Sequence, residues 1–264
     1  MKYHINTTFS LQGFNDYGKK FLDTFPWDDE RVQLSVVYDD TKLEPKLKNY
    51  PKLVVLKNIY CEQIEHFIST NKNKFSQDNF LYSPNRFIFK PSSLLTADKY
   101  LSLDDSNYLI WIDGDSYFKK DNIADLIDFI KPHKNHIASV FDRFDYCNYL
   151  EAGFIIFNRC DSRYLDVIHR CLDIFLTNDI FNMMEWHDAF IFTQIMNEYP
   201  PNSFRHLCRE FNIKGAHPIQ KFKLSYSYID HLKGSRKNVG SSSRLIFIPY
   251  LIFNYLKKKF EKYI

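Results

Sequence analysis

Five largely apolar residues, Tyr108 to Ile112, run directly into Asp113-Gly114-Asp115. An apolar run of that length, cut off by acids, predicts a strand buried on both faces, as in a parallel sheet. In open α/β sheets, ligands bind just beyond the carboxyl ends of such strands. Asp113 and Asp115 stand at i and i+2 of an extended segment, so their carboxylates point the same way and could share one divalent cation. Gly114 between them would let a phosphate or sugar approach the backbone closely. The arrangement suits a metal-bound diphosphate, and so a nucleotide-sugar. Asp-x-Asp occurs nowhere else in the chain. Two acids one residue apart are also common in loops and helix caps, so the pair needs partners elsewhere.

The rest of the chain supplies a frame for that strand. Lys2–Thr8, Gln33–Tyr38 and Lys52–Leu56 read as strands, and Glu151–Phe157 as a later one. Helices are expected over Asn15–Phe25, Cys61–Thr70, Phe87–Tyr100 and Asp188–Asn197. Two more are expected behind Asp121 and Asp161 as N-caps, running to Ile130 and about Leu176. Strands alternating with helices at this spacing indicate an α/β fold with a mostly parallel sheet flanked by helices. With 264 residues and no repeat or low-complexity linker, residues 1–243 read as one domain and 244–264 as a tail.

Composition removes several classes of function. A net charge of only +3 argues against a nucleic-acid binder held by a broad basic field. Five cysteines, odd in number and without a C-x-x-C pair, fit reduced thiols rather than a disulfide framework. No apolar signal region follows Met1-Lys2, so a cytoplasmic location is expected. Aromatic content is high, with 25 Phe and 18 Tyr, which serves a bulky core or a site for sugar rings.

The tail is distinct. Leu245–Phe253 is almost wholly apolar, and Lys257-Lys258-Lys259 and Lys262 follow it. Pro249 interrupts it, and it is too short to span a bilayer as an unbroken helix. A peripheral anchor on the inner face of an anionic membrane fits, and so does a terminal helix docked on the core or an oligomer contact.

A second cluster that could carry chemistry is Asp230-His231-Leu232-Lys233-Gly234-Ser235-Arg236-Lys237, with the spacing H-x-x-G-x-x-K. Neutral imidazole suits Mn²⁺-like ions. Gly234 would let backbone N–H groups approach a phosphate oxygen, and the basic residues would neutralise a diphosphate. A solvated basic turn is the plain alternative. Arg86 and Lys90, at i and i+4 before the acidic strand, are candidate donor contacts on one helix face, or a surface pair.

With these residues in hand, the chain resembles nucleotide-sugar-dependent glycosyltransferases of the GT-A fold. The likeness rests on Asp113-Gly114-Asp115, on Glu151-Ala152-Gly153-Phe154, on Trp186-His187-Asp188 and on His231, in that order. The H-x-x-G-x-x-K spacing is similar to that of the glycogenin-like enzymes of family 8, although Asn238-Val239 stand where those have Pro-Trp.

The resemblance implies Mn²⁺ or Mg²⁺ held by Asp113, Asp115 and His231, and a nucleoside-diphosphate sugar as donor, UDP by default. It implies donor contacts from Thr7, Asp39, Arg86, Lys90, Asp113, Gly234 and Lys237. Glu151, Gly153, Trp186 and His187 would contact a glycan or glycolipid acceptor. Asp188 would be the acid at the reacting centre, and a retaining outcome is the expectation. A sugar-1-phosphate nucleotidyltransferase is the rival enzyme, but Thr7–Gly13 offers one glycine where those have a glycine-rich loop. A non-catalytic scaffold bound through the tail is the third reading.

Overall fold

The computed structural model describes residues 2–76, 79–101, 106–147 and 149–232. Among the described residues, those up to His231 form one compact unit. Gly234, Lys237, the 243/244 boundary and the whole tail lie outside the described residues.

The central sheet has seven strands: β1 (Tyr3–Thr8), β2 (Val32–Tyr38), β3 (Val54–Lys57), β4 (Tyr108–Ile112), β6 (Ala138–Asp142), β7 (Leu150–Asn158) and β8 (Phe204–His206). A two-stranded ribbon joins β5 (Ser116–Phe118) to β9 (Ile229–His231). Sheet order is β3-β2-β1-β4-β7-β6-β8. Strands β3, β2, β1 and β4 run parallel, as do β6 and β8; only β7, between β4 and β6, is antiparallel to its neighbours.

Strand β4 is central because both of its faces are apolar. Ile110 and Ile112 join Tyr3, Ile5, Leu34 and Val36 in one core layer, capped by Phe21, Leu22 and the helix Ile123–Ile130. Leu109 and Trp111 join the opposite layer, with the helices Phe89–Tyr100, Arg163–Leu176 and Asp188–Met196. The helix Phe89–Tyr100 buries serines as well as leucines. Ser93 donates to Asn6 Oδ1 (2.9 Å), and Ser92 Oγ accepts from Asn58 Nδ2 (3.0 Å). Those bonds let a polar helix face lie against the sheet without an unpaired group.

Several expected boundaries move, each for a local reason. The first helical stretch begins at Leu11 rather than Asn15, because Ser10 caps it by accepting from Gly13 N. Its middle, Phe14–Gly18, is π-helical. Pro91 sits in the first turn of a helix that starts at Phe89, where proline is tolerated. Arg86 therefore belongs to a separate 3₁₀ turn, Pro84–Arg86, and does not share one continuous helix with Lys90. The caps at the two later helices are Asn122 and Ser162, one residue beyond the expected aspartates. Strands β5, β8 and β9 are three residues long, too short to leave a periodicity in sequence.

Candidate active site

The Asp113-Gly114-Asp115 turn leaves β4 at its carboxyl end, where the sequence placed it. Asp113 N donates to Gly153 O (2.9 Å), and Ser116 N to Asp113 O (3.0 Å). Gly114 packs against protein. A Cβ there would lie 2.3 Å from the Phe9 ring and 3.2 Å from Thr8 O. Its lack of a side chain is thus already needed for closure of the turn on β1. Directly after the turn, β5 pairs with β9 in antiparallel register, with Ser116 opposite His231. That pairing carries His231 across more than a hundred residues of sequence to the acidic turn.

His231 Nε2 lies 2.8 Å from Asp115 Oδ1 and 3.5 Å from Asp113 Oδ2. One ligand atom from each of Asp113, Asp115 and His231 falls within 4.8 Å of the others. Adjacent ligands of an octahedral Mg²⁺, with bonds of about 2.1 Å, stand about 3 Å apart. Two carboxylate oxygens and one imidazole nitrogen also match the donor preference of Mn²⁺ and its neighbours. The residues therefore fit a divalent cation in both spacing and chemistry.

Lys90 is buried at the centre of the site. Its Nζ donates to Ala152 O (2.8 Å), lies 3.0 Å from Asp113 Oδ1 and contacts Asp188 Oδ2. An ammonium has three N–H donors, and these three acceptors use them. Burial alone would lower its pKa, but the Asp113 and Asp188 carboxylates outweigh that and hold it above the usual lysine range. The same pairing acts on Asp188. Burial would raise its pKa, yet Lys90 keeps the carboxyl below its ordinary value. Asp188 is the first residue of its helix, and its Oδ1 accepts from Ala189 N (2.8 Å). The cap is His187, whose Nδ1 accepts from Phe190 N (3.3 Å) while its Nε2 faces Glu185 Oε2 (2.6 Å).

The remaining candidates divide, with Glu151 and Gly153 against His231 and the others apart from it. Glu151 is 3% exposed; it faces Arg143 Nη2 (3.2 Å) and His231 Nδ1 (4.0 Å). Gly153 lies against His231, since a Cβ there would come within 2.4 Å of the imidazole Cε1. Trp186 is part of an aromatic cluster with Tyr82 and Phe181, and its Nε1 donates to Met183 O (3.2 Å). Thr7 is fully buried at the end of β1. Asp39 follows β2 directly and meets Cys61 Sγ (3.5 Å); burial pushes its pKa up to about 6. Arg86 is exposed.

Sequence reasoning missed two residues of the site. Trp111 Nε1 donates to Asp113 Oδ1 (2.6 Å), and its position two before Asp113 on an extended strand was the available signal. Tyr17, on the π-helical turn, lies near the acids. Burial first, then the charges of Asp115 and Asp113, push its phenol up to about 12, so the hydroxyl remains a donor. Interruptions of this kind in a helix often accompany functional sites.

No protein-family model and no curated protein matches the sequence. Solved structures do match the fold. Mouse xyloside xylosyltransferase 1 aligns with a TM-score of 0.52 at 13% identity, over 88% of this chain and 97% of its own. The glycosyltransferase GlyE of Streptococcus pneumoniae aligns with a TM-score of 0.52 at 11% identity, over 90% of this chain and 56% of its own. An active-site mutant of LgtC aligns with a TM-score of 0.51 at 11% identity, over 88% and 87% of the two chains. At these identities the likeness establishes the fold: it is the GT-A fold shared with those glycosyltransferases.

Proposed function

We propose that this chain is a metal-dependent glycosyltransferase, moving a sugar from a nucleoside-diphosphate sugar, UDP first, to a hydroxyl of a glycan or glycolipid. The observation that carries the reading is the convergence of Asp113, Asp115 and His231 at the carboxyl end of β4. The fold supports it, since the solved structures that share it are named as glycosyltransferases.

Asp113, Asp115 and His231 would hold Mn²⁺ or Mg²⁺, and Lewis-acid stabilisation of the departing diphosphate is what such a cation supplies when bound. Lys90 fixes the two carboxylates on either side of it. Through Asp113 it sets the orientation of the cation site, and through Asp188 it sets the reacting face. Tyr17 offers a phenolic donor at the same acidic turn. Asp39 is the candidate for the nucleoside, at the end of the neighbouring parallel strand, and Gly234 and Lys237 remain the candidates for the diphosphate.

Asp188 is better suited to positioning than to proton abstraction. A general base works best with a pKa near the operating pH, and Lys90 holds Asp188 below even an ordinary carboxylate. With Asp188 held as a positioning group, the acceptor proton would pass to the departing phosphate. The outcome is then retention of the anomeric configuration. Trp186 and His187 stay as acceptor-side candidates. No described helix is long and apolar enough to cross a membrane. The tail at 244–264 is retained as a peripheral membrane contact, charge-matched to anionic headgroups by its lysines.

The test is a screen of nucleotide-sugars with Mn²⁺, reading release of nucleoside diphosphate. Turnover of one donor class, lost on chelation, supports the reading. Pyrophosphate release from a nucleoside triphosphate and a sugar phosphate, with no donor turnover, would move it to nucleotidyl transfer.

A further inference from the structure

Glu151 and Gly153 were expected to meet an acceptor sugar, but both face the imidazole of His231 instead. They are alternate residues of β7 and so share one face of the strand. Opposite them the ladder with β6 loses register between Val140 and Phe141. Val140 pairs with Ile155 and Phe141 with Glu151, so residues 152–154 have no β6 partner in register. Such bulges re-aim side chains and often flank active sites. Here the bulge leaves Ala152 O to accept from Lys90, and turns Glu151 and Gly153 towards β9.

The two residues act on the ring differently. Gly153 provides room: any Cβ would meet Cε1 at 2.4 Å and Nδ1 at 2.7 Å. Glu151 provides charge: its Oε1 is 4.0 Å from Nδ1, on the side of the ring away from Asp115, and accepts from Gly153 N at 3.3 Å. Arg143, at 3.2 Å from Oε2, keeps that buried carboxyl paired. A carboxylate beyond the non-ligating nitrogen of a metal-bound histidine is the usual partner in such sites, since it fixes the tautomer and raises ligand basicity. With only 3% of its surface exposed, Glu151 has little to offer a sugar.

We propose that Glu151, held by Arg143, is a positioning residue for His231: its charge, 4.0 Å from Nδ1 and so beyond a direct hydrogen bond, favours the tautomer protonated at Nδ1 and leaves Nε2 as the lone-pair donor to the cation. Gly153 is the space that lets the ring lie in that berth. The proposal rests on the metal reading of Asp113, Asp115 and His231.

The experiment is Mn²⁺ binding, followed by electron paramagnetic resonance of free Mn²⁺ with saturating UDP, on the wild-type chain, E151A and E151Q. Far-UV circular dichroism and thermal melts check folding. The wild type binds Mn²⁺; E151A, still folded, binds about 10–100-fold more weakly, as loss of an outer-sphere partner does elsewhere. E151Q, which keeps an amide oxygen towards Nδ1, recovers part of that loss. Should E151A prove unfolded, the E151Q shift alone decides. Mn²⁺ affinity within twofold of wild type in the folded variants would overturn the proposal, the more so if acceptor KM rose instead. A wild type that fails to bind Mn²⁺ at all would sink the metal reading itself, a result recognisable before any variant is measured.

Discussion

Lys90 Nζ lies 3.0 Å from Asp113 Oδ1, while Asp113 Oδ2 faces His231 Nε2 at 3.5 Å. One carboxylate thus has one oxygen committed to the protein and the other turned to the candidate cation. Trp111 Nε1 reinforces the commitment at Oδ1. The same ammonium reaches Asp188, so a single buried charge ties the acidic turn after β4 to the helix Asp188–Met196.

Replacing that charge exposes how much rests on it. Lys90→Met leaves Asp113 and Asp188 without their shared cation, and Asp188 in a dry environment. Breaking a buried pair from one side costs about 3–5 kcal/mol. The expected result is a loss of that size in urea-melt stability at neutral pH, shrinking in acid as the orphaned carboxyls take up protons. An unchanged midpoint would show that the pair contributes nothing.

The wild-type pair also sets an acid limit. Asp188 has a folded pKa below the ordinary value of 3.8, so it contributes stability that is present above that value and is lost as pH falls through the folded pKa. Asp188→Asn removes this contribution. The gap in stability between wild type and D188N should be largest at neutral pH and narrow below about pH 4. With Asp188 positioning the reactants, kcat of D188N falls by about 10²-fold. Retention predicts that NMR finds the donor's anomeric configuration in the product of the wild type.

Asp39 shifts the other way. Burial pushes its carboxyl up to about 6, so its ionisation is a cost to the fold that begins above the unfolded value of 3.8 and is complete above pH 6. Asp39→Asn lacks that cost. Its melting temperature should exceed that of the wild type by more at pH 8 than at pH 5. If Asp39 accepts a base N–H, the same variant binds nucleoside diphosphate more weakly. Greater stability together with unchanged nucleotide affinity would remove Asp39 from the donor site.

Strand β4 also bears the fold. Ile110 is fully buried between β1 and β7, and Ile110→Ala should cost about 2–5 kcal/mol in a chemical melt. A loss below 1 kcal/mol would mean that this layer collapses around the gap.

The parts legible in sequence were those written in long local patterns. The run Tyr108–Ile112 and its acids gave β4 and the turn, and the order of Asp113, Asp188 and His231 carried the resemblance to GT-A enzymes. What sequence reasoning missed depends on contacts between distant segments. His231 was read as a metal ligand from its motif, but the three-residue strand that brings it to the acidic turn is too short to signal itself. Lys90 was read as a donor contact or one of a surface pair, and its burial was not foreseen, because the helix Phe89–Tyr100 buries serines that are satisfied by Asn6 and Asn58 from distant segments. The approach of Glu151 and Gly153 to His231 was not foreseen, since a bulge against β6 cannot be read from β7 alone. Gly114 was read as room for a ligand, and the room is taken by Phe9.

The most direct measurement is Mn²⁺-dependent turnover of the donor by Asp115→Ala beside the wild type, with circular dichroism confirming the fold. Asp115 holds the shortest approach to His231 and has no part in the Lys90 pair, so its loss should spare the structure. The account predicts a folded protein with no metal-dependent release of nucleoside diphosphate. Release at the wild-type rate, with the same dependence on Mn²⁺, would contradict it.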